Sequence, residues 1–147
     1  MRTRTKAAVA VVAVVAGLVL ALFATAGPAV AFFSGGLFLD VHVKSPATLV
    51  ARGAGVDVPL EVTCNAPGGA SVQVTVTQHA GSGVAQGSGS TTVGCTGSGQ
   101  QILVRVFATS GGKSFKQGTA VVDAVIFGCR QNTCGNETDS EAIALQR

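Results

Sequence analysis

The chain has 147 residues, of which 47% are hydrophobic and 12% charged, with ten basic and seven acidic residues. Three of the basic residues lie in the N-terminal segment, so the rest of the chain carries seven basic and seven acidic residues, a net charge of 7 − 7 = 0. A neutral chain of this size excludes the basic footprint of a nucleic-acid-binding protein and leaves room for one domain only.

The first 31 residues have the pattern of a secretory signal peptide. A basic start is followed by an apolar run over residues 7–24, a Gly27-Pro28 break and the small residues Ala29-Val30-Ala31. This order predicts a helical leader cleaved after Ala31 and a secreted domain over residues 32–147. The alternative is an uncleaved leader that anchors the chain, because the apolar run is nearly long enough to span a bilayer. Membrane contact is expected only in that case.

Period-2 alternation of apolar and polar residues dominates the chain after the leader. The pattern predicts an all-β domain, a single immunoglobulin-like or fibronectin III-like antiparallel β-sandwich of about seven strands. The predicted strands are 37–43, 56–64, 70–79, about 84–93, 101–109, 117–127 and 141–146. Pro59 cannot donate a ladder hydrogen bond, so it predicts a bulge or a sheet edge at that point.

Two segments have too little pattern to predict a strand with any strength. Residues 81–90 are rich in Gly and Ser, which indicates a loop with a poor strand at a sheet edge. Residues 129–139 are polar and are interpreted as a loop before a short last strand.

The four cysteines, all after the leader, predict two disulfides in an oxidising compartment. Four cysteines allow three connectivities. In an immunoglobulin-type sandwich the second and fifth strands are neighbours and the last two form a hairpin, which favours Cys64–Cys95 and Cys129–Cys134. A zinc site is the alternative, but its ligands usually come in closely spaced pairs, and only one pair here is close.

Few residues suggest chemistry, and we expect no enzyme, no cofactor and no metal. His42 and Asp40 share a strand face and could orient an imidazole, but a solvent-facing polar pair is favoured. Glu137, Asp139 and Glu141 could bind calcium weakly, but a solvated acidic turn is favoured.

Three segments carry a resemblance to a known family: Pro46 to Gly53, Val72 to Gln78 and Phe115 to Gly118. They resemble a family of small secreted actinobacterial proteins of unknown function, over most of the mature chain. The resemblance implies a secreted sandwich and no activity.

A second similarity concerns the last hairpin. Cys129-x4-Cys134 followed by residues 142–145 is similar in style to the neocarzinostatin-like apoproteins, secreted immunoglobulin-like sandwiches that carry enediyne chromophores. That family closes its other disulfide over a short loop and lines its cleft partly with aromatics, whereas Cys64 and Cys95 are far apart and Trp and Tyr are absent here. The similarity assigns no chromophore site to any residue.

The leading functional hypothesis is a secreted non-catalytic binding or structural module at or outside the cell envelope, whose partner is an unknown protein or envelope component. The alternative is a small-ligand carrier with a cleft between the last hairpin and the 84–93 region. Several apolar side chains lie opposite the core parity and form a possible interaction patch: Leu103, Phe107, Val121, Val125 and Phe127.

Overall fold

The computed structural model describes residues 35–147, so the predicted leader and its cleavage site lie outside the described residues. The described part is all-β, as predicted, with one short 3-10 turn at Ala51–Gly53. It contains no helix long and apolar enough to cross a membrane. Its eight strands are β1 Leu39–Val43, β2 Ala47–Val50, β3 Gly55–Cys64, β4 Ala70–Ala80, β5 Gly83–Val93, β6 Gln100–Ala108, β7 Gly118–Arg130 and β8 Thr133–Gln146.

The core is built from the alternating apolar residues of these strands. In β3 every second residue from Val56 to Cys64 is fully buried, and the same alternation buries Val72, Val74 and Val76 in β4. β-Branched side chains pack well on a pleated surface, so a valine-rich alternation folds readily into strands with one buried face. The buried side chains form a single cluster that also includes Phe115 from the loop before β7.

The sheet closes on itself, which differs from the predicted two-sheet sandwich. Its strands follow the order β1-β3-β2-β8-β7-β4-β5-β6, and β6 also pairs with β3, so seven strands form a barrel with β1 beside β3. Two strands make the closure: β5 pairs with both β4 and β6, and β2 pairs with both β3 and β8. The expected neighbours β3 and β6, and the β7–β8 hairpin, are both present.

The strand predicted at about residues 84–93 is present, but the interpretation of residues 81–90 as a loop with a poor strand at a sheet edge was wrong. Residues 81 and 82 form a turn, and the rest of this segment belongs to β5, which pairs with β4 along its whole length, from Gly83 to Val93. The core-facing positions Gly87 and Gly89 have no side chain because a Cβ there would lie 2.2 Å and 2.1 Å from carbonyl oxygens of β6. A strand that needs glycine on its inner face shows no hydrophobic alternation, and its sequence therefore resembles a loop.

The prediction of a polar loop over residues 129–139 was also wrong. β7 continues to Arg130 and β8 already begins at Thr133, so the two strands form a long hairpin. The first ten of the 14 residues of β8, 133–142, are exposed or only partly buried on both faces, and only Ile143 and Leu145 reach the core. Without a buried face this part has no apolar alternation, so the sequence indicated only the short strand 141–146.

Pro59 lies where the ladder beside β3 is interrupted. β1 pairs with residues 60–64 of β3 and β2 pairs with residues 55–57, and between them the Lys44 N–H donates to the Pro59 carbonyl at 2.9 Å. In an antiparallel strand the nitrogen and carbonyl of a residue point to the same side. The missing N–H of Pro59 therefore faces this gap, which has the same effect as the bulge or edge that the sequence predicted.

The disulfides join Cys64 to Cys95 and Cys129 to Cys134, the two pairs favoured from the sequence. The first bridge connects the end of β3 to the segment before β6, across 31 positions of the chain. The second joins two residues that face each other in the β7–β8 hairpin.

Asp57 and Arg105 form a bidentate ion pair on the outer surface of neighbouring strands. Arg105 Nε and Nη2 lie 2.7 Å and 2.8 Å from the two carboxylate oxygens of Asp57. The hydrogen bonds from Arg105 lower the pKa of Asp57. A carboxyl group whose pKa is lower in the folded state stabilises the fold above its unfolded pKa, and this contribution is lost as the pH falls through the folded pKa.

We therefore expect Asp57→Asn to lower the melting temperature at pH 7 by about 2–4 °C, the modest effect typical of a surface pair. Because the pKa of Asp57 is lowered in the folded state, the difference from the wild type should shrink as the pH falls through that pKa and disappear once the wild-type carboxyl is itself neutral. Thermal unfolding followed by circular dichroism at several pH values measures this. A deficit that is the same at pH 7 and at pH 2.5 would show that the ion pair is not its cause.

Candidate functional site

A cleft opens at one end of the barrel, where β3, β5 and β7 begin and β4, β6 and β8 end. Its volume is about 930 Å³. We call it the basic cleft; it is lined by Leu49, Arg52, Gly53, Ser114, Phe115, Lys116, Gln117 and Arg147. The lining comes from three segments that the fold brings together: the end of β2 with the 51–53 turn, the loop before β7, and the C-terminal end of β8.

The 51–53 turn has a left-handed backbone. The φ angles are 47° at Ala51, 57° at Arg52 and 90° at Gly53. Glycine adopts such angles freely, but each residue with a side chain costs about 1–2 kcal/mol in this region. Strained backbone of this kind persists only where the surrounding structure determines it, and it is frequent at binding sites.

Main-chain contacts hold this turn against the loop before β7. The Phe115 N–H donates to the Gly53 carbonyl at 2.8 Å. A Cβ at Gly53 would lie 2.1 Å from the Phe115 carbonyl oxygen, so only glycine permits this approach. The Phe115 side chain is 2% exposed and anchors the loop in the core.

Gln78 fixes the other side of the same loop. It is a buried polar residue of β4, and its amide clamps the main chain of Lys116. Gln78 Nε2 donates to the Lys116 carbonyl at 2.8 Å, and the Lys116 N–H donates to Gln78 Oε1 at 2.8 Å. Two such bonds in a buried setting hold the loop in one conformation, so the lining of the basic cleft is fixed before any ligand arrives.

The basic cleft was not predicted from the sequence. Its residues come from three segments far apart in the chain, and none of them forms a motif. The resemblance segments Pro46 to Gly53 and Phe115 to Gly118 do contain most of the lining, but the resemblance assigned them no role. The only local signal is Gly53, and a single glycine after an arginine is too common to indicate a left-handed turn.

The five residues of the predicted apolar patch lie on two strands that are not neighbours. Leu103 and Phe107 of β6 are 67% and 59% exposed, and Val121 and Phe127 of β7 are 44% and 50% exposed. Val125 is partly buried. β4 and β5 separate β6 from β7 in the sheet, so the structure does not bring the two groups into one surface.

The other residues singled out in the sequence lie away from the basic cleft. His42 Nε2 is 3.2 Å from Asp40 Oδ2, and both side chains are well exposed on β1. Asp139 Oδ2 accepts a 2.7 Å hydrogen bond from the Val43 N–H and links β8 to β1. Within residues 35–147 no three side chains of the His, Cys, Asp or Glu type converge as metal ligands would.

Comparison with known proteins assigns the chain to no family. No family model matches the sequence, and no curated protein matches it. Among solved structures, the chain is similar to AggA, the major subunit of aggregative adherence fimbriae type I from Escherichia coli. That similarity has 13% sequence identity and a TM-score of 0.37, over 75% of this chain and 94% of that chain.

Proposed function

We propose that the chain is a secreted, non-catalytic binding module with an immunoglobulin-like strand arrangement, acting at or outside the cell envelope. The pairings β3–β6, β4–β7 and β7–β8 are compatible with such an arrangement. Two disulfides are typical of proteins that fold in an oxidising compartment. The leader pattern of the first 31 residues supports export to such a compartment.

The observation that carries the proposal is the preformed basic cleft. A rigid barrel presents loops at its end, and binding residues are often found on loops that a rigid scaffold positions. Here the loops are held by the Gly53–Phe115 and Gln78–Lys116 main-chain contacts. A site whose lining is already ordered loses little conformational entropy when it binds a ligand.

A tryptophan placed in the basic cleft tests this proposal without changing its charge. Ser114 is exposed and lines the cleft, so Ser114→Trp should fill it. We expect the wild-type chain to be retained on a cell-envelope preparation from the producing organism, and the variant to lose at least about nine-tenths of this retention. Sedimentation of the labelled chain with the envelope material measures it.

The matched control is Ser98→Trp, which adds the same side chain in an exposed bend at the opposite end of the barrel. Its retention should equal that of the wild type. If both tryptophan variants are retained as well as the wild type, the cleft does not hold the ligand and the proposal is wrong.

A small-ligand carrier is the second candidate, and the size of the cleft favours it. A volume of about 930 Å³ lies within the range of small-molecule sites. The cleft lies at the opposite end of the barrel from the β7–β8 turn, and not between that hairpin and β5 as the sequence-based hypothesis placed it. A carrier, but not an envelope-binding module, should release a small molecule of defined mass when the gently purified protein is analysed by native mass spectrometry.

A further inference from the structure

The end of the barrel that carries the basic cleft is strongly positive, although the domain as a whole is neutral. Its connecting segments are residues 51–54, 81–82, 109–117 and 147. These segments contain four basic residues and no acidic residue: Arg52, Lys113, Lys116 and Arg147. Residues 35–147 contain seven basic and seven acidic residues, so more than half of the positive charge is gathered at one end.

The cations of the cleft have no acidic side chain as a partner. The ion pairs found in the described part of the chain join Lys44 to Glu61, Arg105 to Asp57 and His42 to Asp40. Arg52, Lys116 and Arg147 belong to none of them, and all three are exposed. Cations gathered around one opening repel each other, and a bound anion relieves this repulsion.

The left-handed turn determines the position of Arg52, because an arginine does not favour this backbone conformation by itself. The turn is held because the Gly53 carbonyl accepts the Phe115 N–H, and the same loop continues into Lys116, which Gln78 clamps. The contacts that strain the backbone at Arg52 therefore also place Lys116 on the same opening. This arrangement brings a forked guanidinium and an ammonium to one ligand, a combination suited to phosphate oxygens.

We propose that the basic cleft binds a phosphate-bearing ligand with at least two negative charges. This inference rests on the proposed function, since it names the ligand class of the same site. Three cations on one opening exceed what a single carboxylate can neutralise, whereas a phosphate monoester or a run of phosphates matches them. Such groups occur both in soluble phosphate polymers and in lipid headgroups at the cell surface.

Isothermal titration of the purified chain with sodium tripolyphosphate tests the charge requirement. We expect saturable binding that weakens as the salt concentration rises, because exposed charges are screened. Sodium acetate, which carries one charge, should bind at least about a hundredfold more weakly. Equal binding of the two anions, or binding of neither, would overturn the proposal.

Charge-neutralising variants locate the binding. Arg52→Gln and Lys116→Gln should each weaken tripolyphosphate binding about tenfold, the effect of losing one charge-assisted hydrogen bond. Arg130→Gln, at the opposite end of the barrel, is the matched control and should bind like the wild type. Arg52 and Lys116 are exposed, whereas Arg130 is partly buried and donates a 3.2 Å hydrogen bond to the Asn65 carbonyl, so the melting temperature of each variant is measured to confirm that it is folded. A loss of affinity in Arg130→Gln equal to that in Arg52→Gln would show that net charge alone is responsible.

Vesicles distinguish the two sources of phosphate. Retention on phosphatidic acid vesicles, whose headgroup is a phosphate monoester, that Arg52→Gln weakens would assign the site to lipid headgroups, and tripolyphosphate binding without vesicle retention would assign it to a soluble polymer; either result supports the proposal. The Ser114→Trp variant distinguishes failure of the proposed binding function from failure of the phosphate proposal. If Ser114→Trp abolishes envelope retention but Arg52→Gln and Lys116→Gln leave it equal to that of the wild type, the cleft binds a ligand that is not anionic, and only the present inference fails.

Discussion

Replacing Cys64 and Cys95 together by alanine should lower the free energy of unfolding by about 3.7 kcal/mol, because the bridge restricts a long loop of the unfolded chain. The two residues are 31 positions apart, and the segment between them contains β4 and β5. Without the bridge, the end of β3 is no longer covalently fixed near the start of β6. Guanidinium unfolding of the wild type and the double variant measures the difference.

Removing the other bridge is the internal comparison. Cys129 and Cys134 are only five positions apart, and the hairpin around them is paired along its whole length by main-chain hydrogen bonds. The corresponding double alanine variant should lose about 2 kcal/mol. A larger loss for the Cys129–Cys134 variant than for the Cys64–Cys95 variant would contradict this account of what each bridge contributes.

The second large effect should come from Gly89→Ala in β5. A Cβ at this position would lie 2.1 Å from the Arg105 carbonyl oxygen and 2.9 Å from its carbonyl carbon, both main-chain atoms of β6. Backbone atoms in a sheet cannot move aside as a flexible side chain does, so β5 and β6 must separate. We expect a loss of about 3 kcal/mol, at the upper end of the usual cost of overpacking. Chemical denaturation measures it.

Two glycines provide controls for this prediction. A Cβ at Gly94 would meet no atom within 4 Å, and one at Gly83 would meet only the flexible end of Lys113. Alanine at either position should change the stability by less than about 1 kcal/mol. If Gly89→Ala is as well tolerated as these two, β5 and β6 do not approach as closely as the structure shows, and the barrel is open at this seam.

The sequence was informative where one face of a strand is buried. In β3 and β4 the alternation of apolar with mostly polar residues indicated both the strand and its inner face, and burial follows that alternation. The cysteine pairing could be predicted for the same reason. Cys64 and Cys95 lie at the ends of elements whose neighbours an immunoglobulin-type order suggests, and Cys129 and Cys134 lie in one hairpin.

The sequence did not indicate the strands clearly where the inner face consists of glycines or where neither face of the strand is buried. β5 has Gly87 and Gly89 on its inner face because the β6 backbone occupies that space, so its pattern indicated only a poor strand at a sheet edge. This strand closes the barrel, and the closure was missed with it. Residues 133–142 of β8 have no buried face, so their pairing with β7 depends on main-chain hydrogen bonds that leave no apolar pattern.

The basic cleft could not be predicted from the sequence for a different reason. Arg52, Lys116 and Arg147 are separated by up to 95 positions, and they come together because loops from three parts of the chain meet at one end of the barrel. The neutral net charge of the domain hid this concentration of cations, since charge balance says nothing about where the charges lie. The buried position of Gln78 could not be predicted either, because a glutamine in an alternating strand ordinarily lies on the solvent-facing side.

The central claim is that the end of the barrel around Arg52 and Lys116 is the binding surface. Amide chemical-shift mapping tests it most directly, with the isotope-labelled chain titrated with sodium tripolyphosphate. The account predicts saturable shifts concentrated at Arg52, Gly53 and residues 115–117, where ordered main-chain amides surround the opening. Shifts concentrated at the opposite end, around Arg130 and the β7–β8 turn, or spread evenly over all the basic residues, would contradict it.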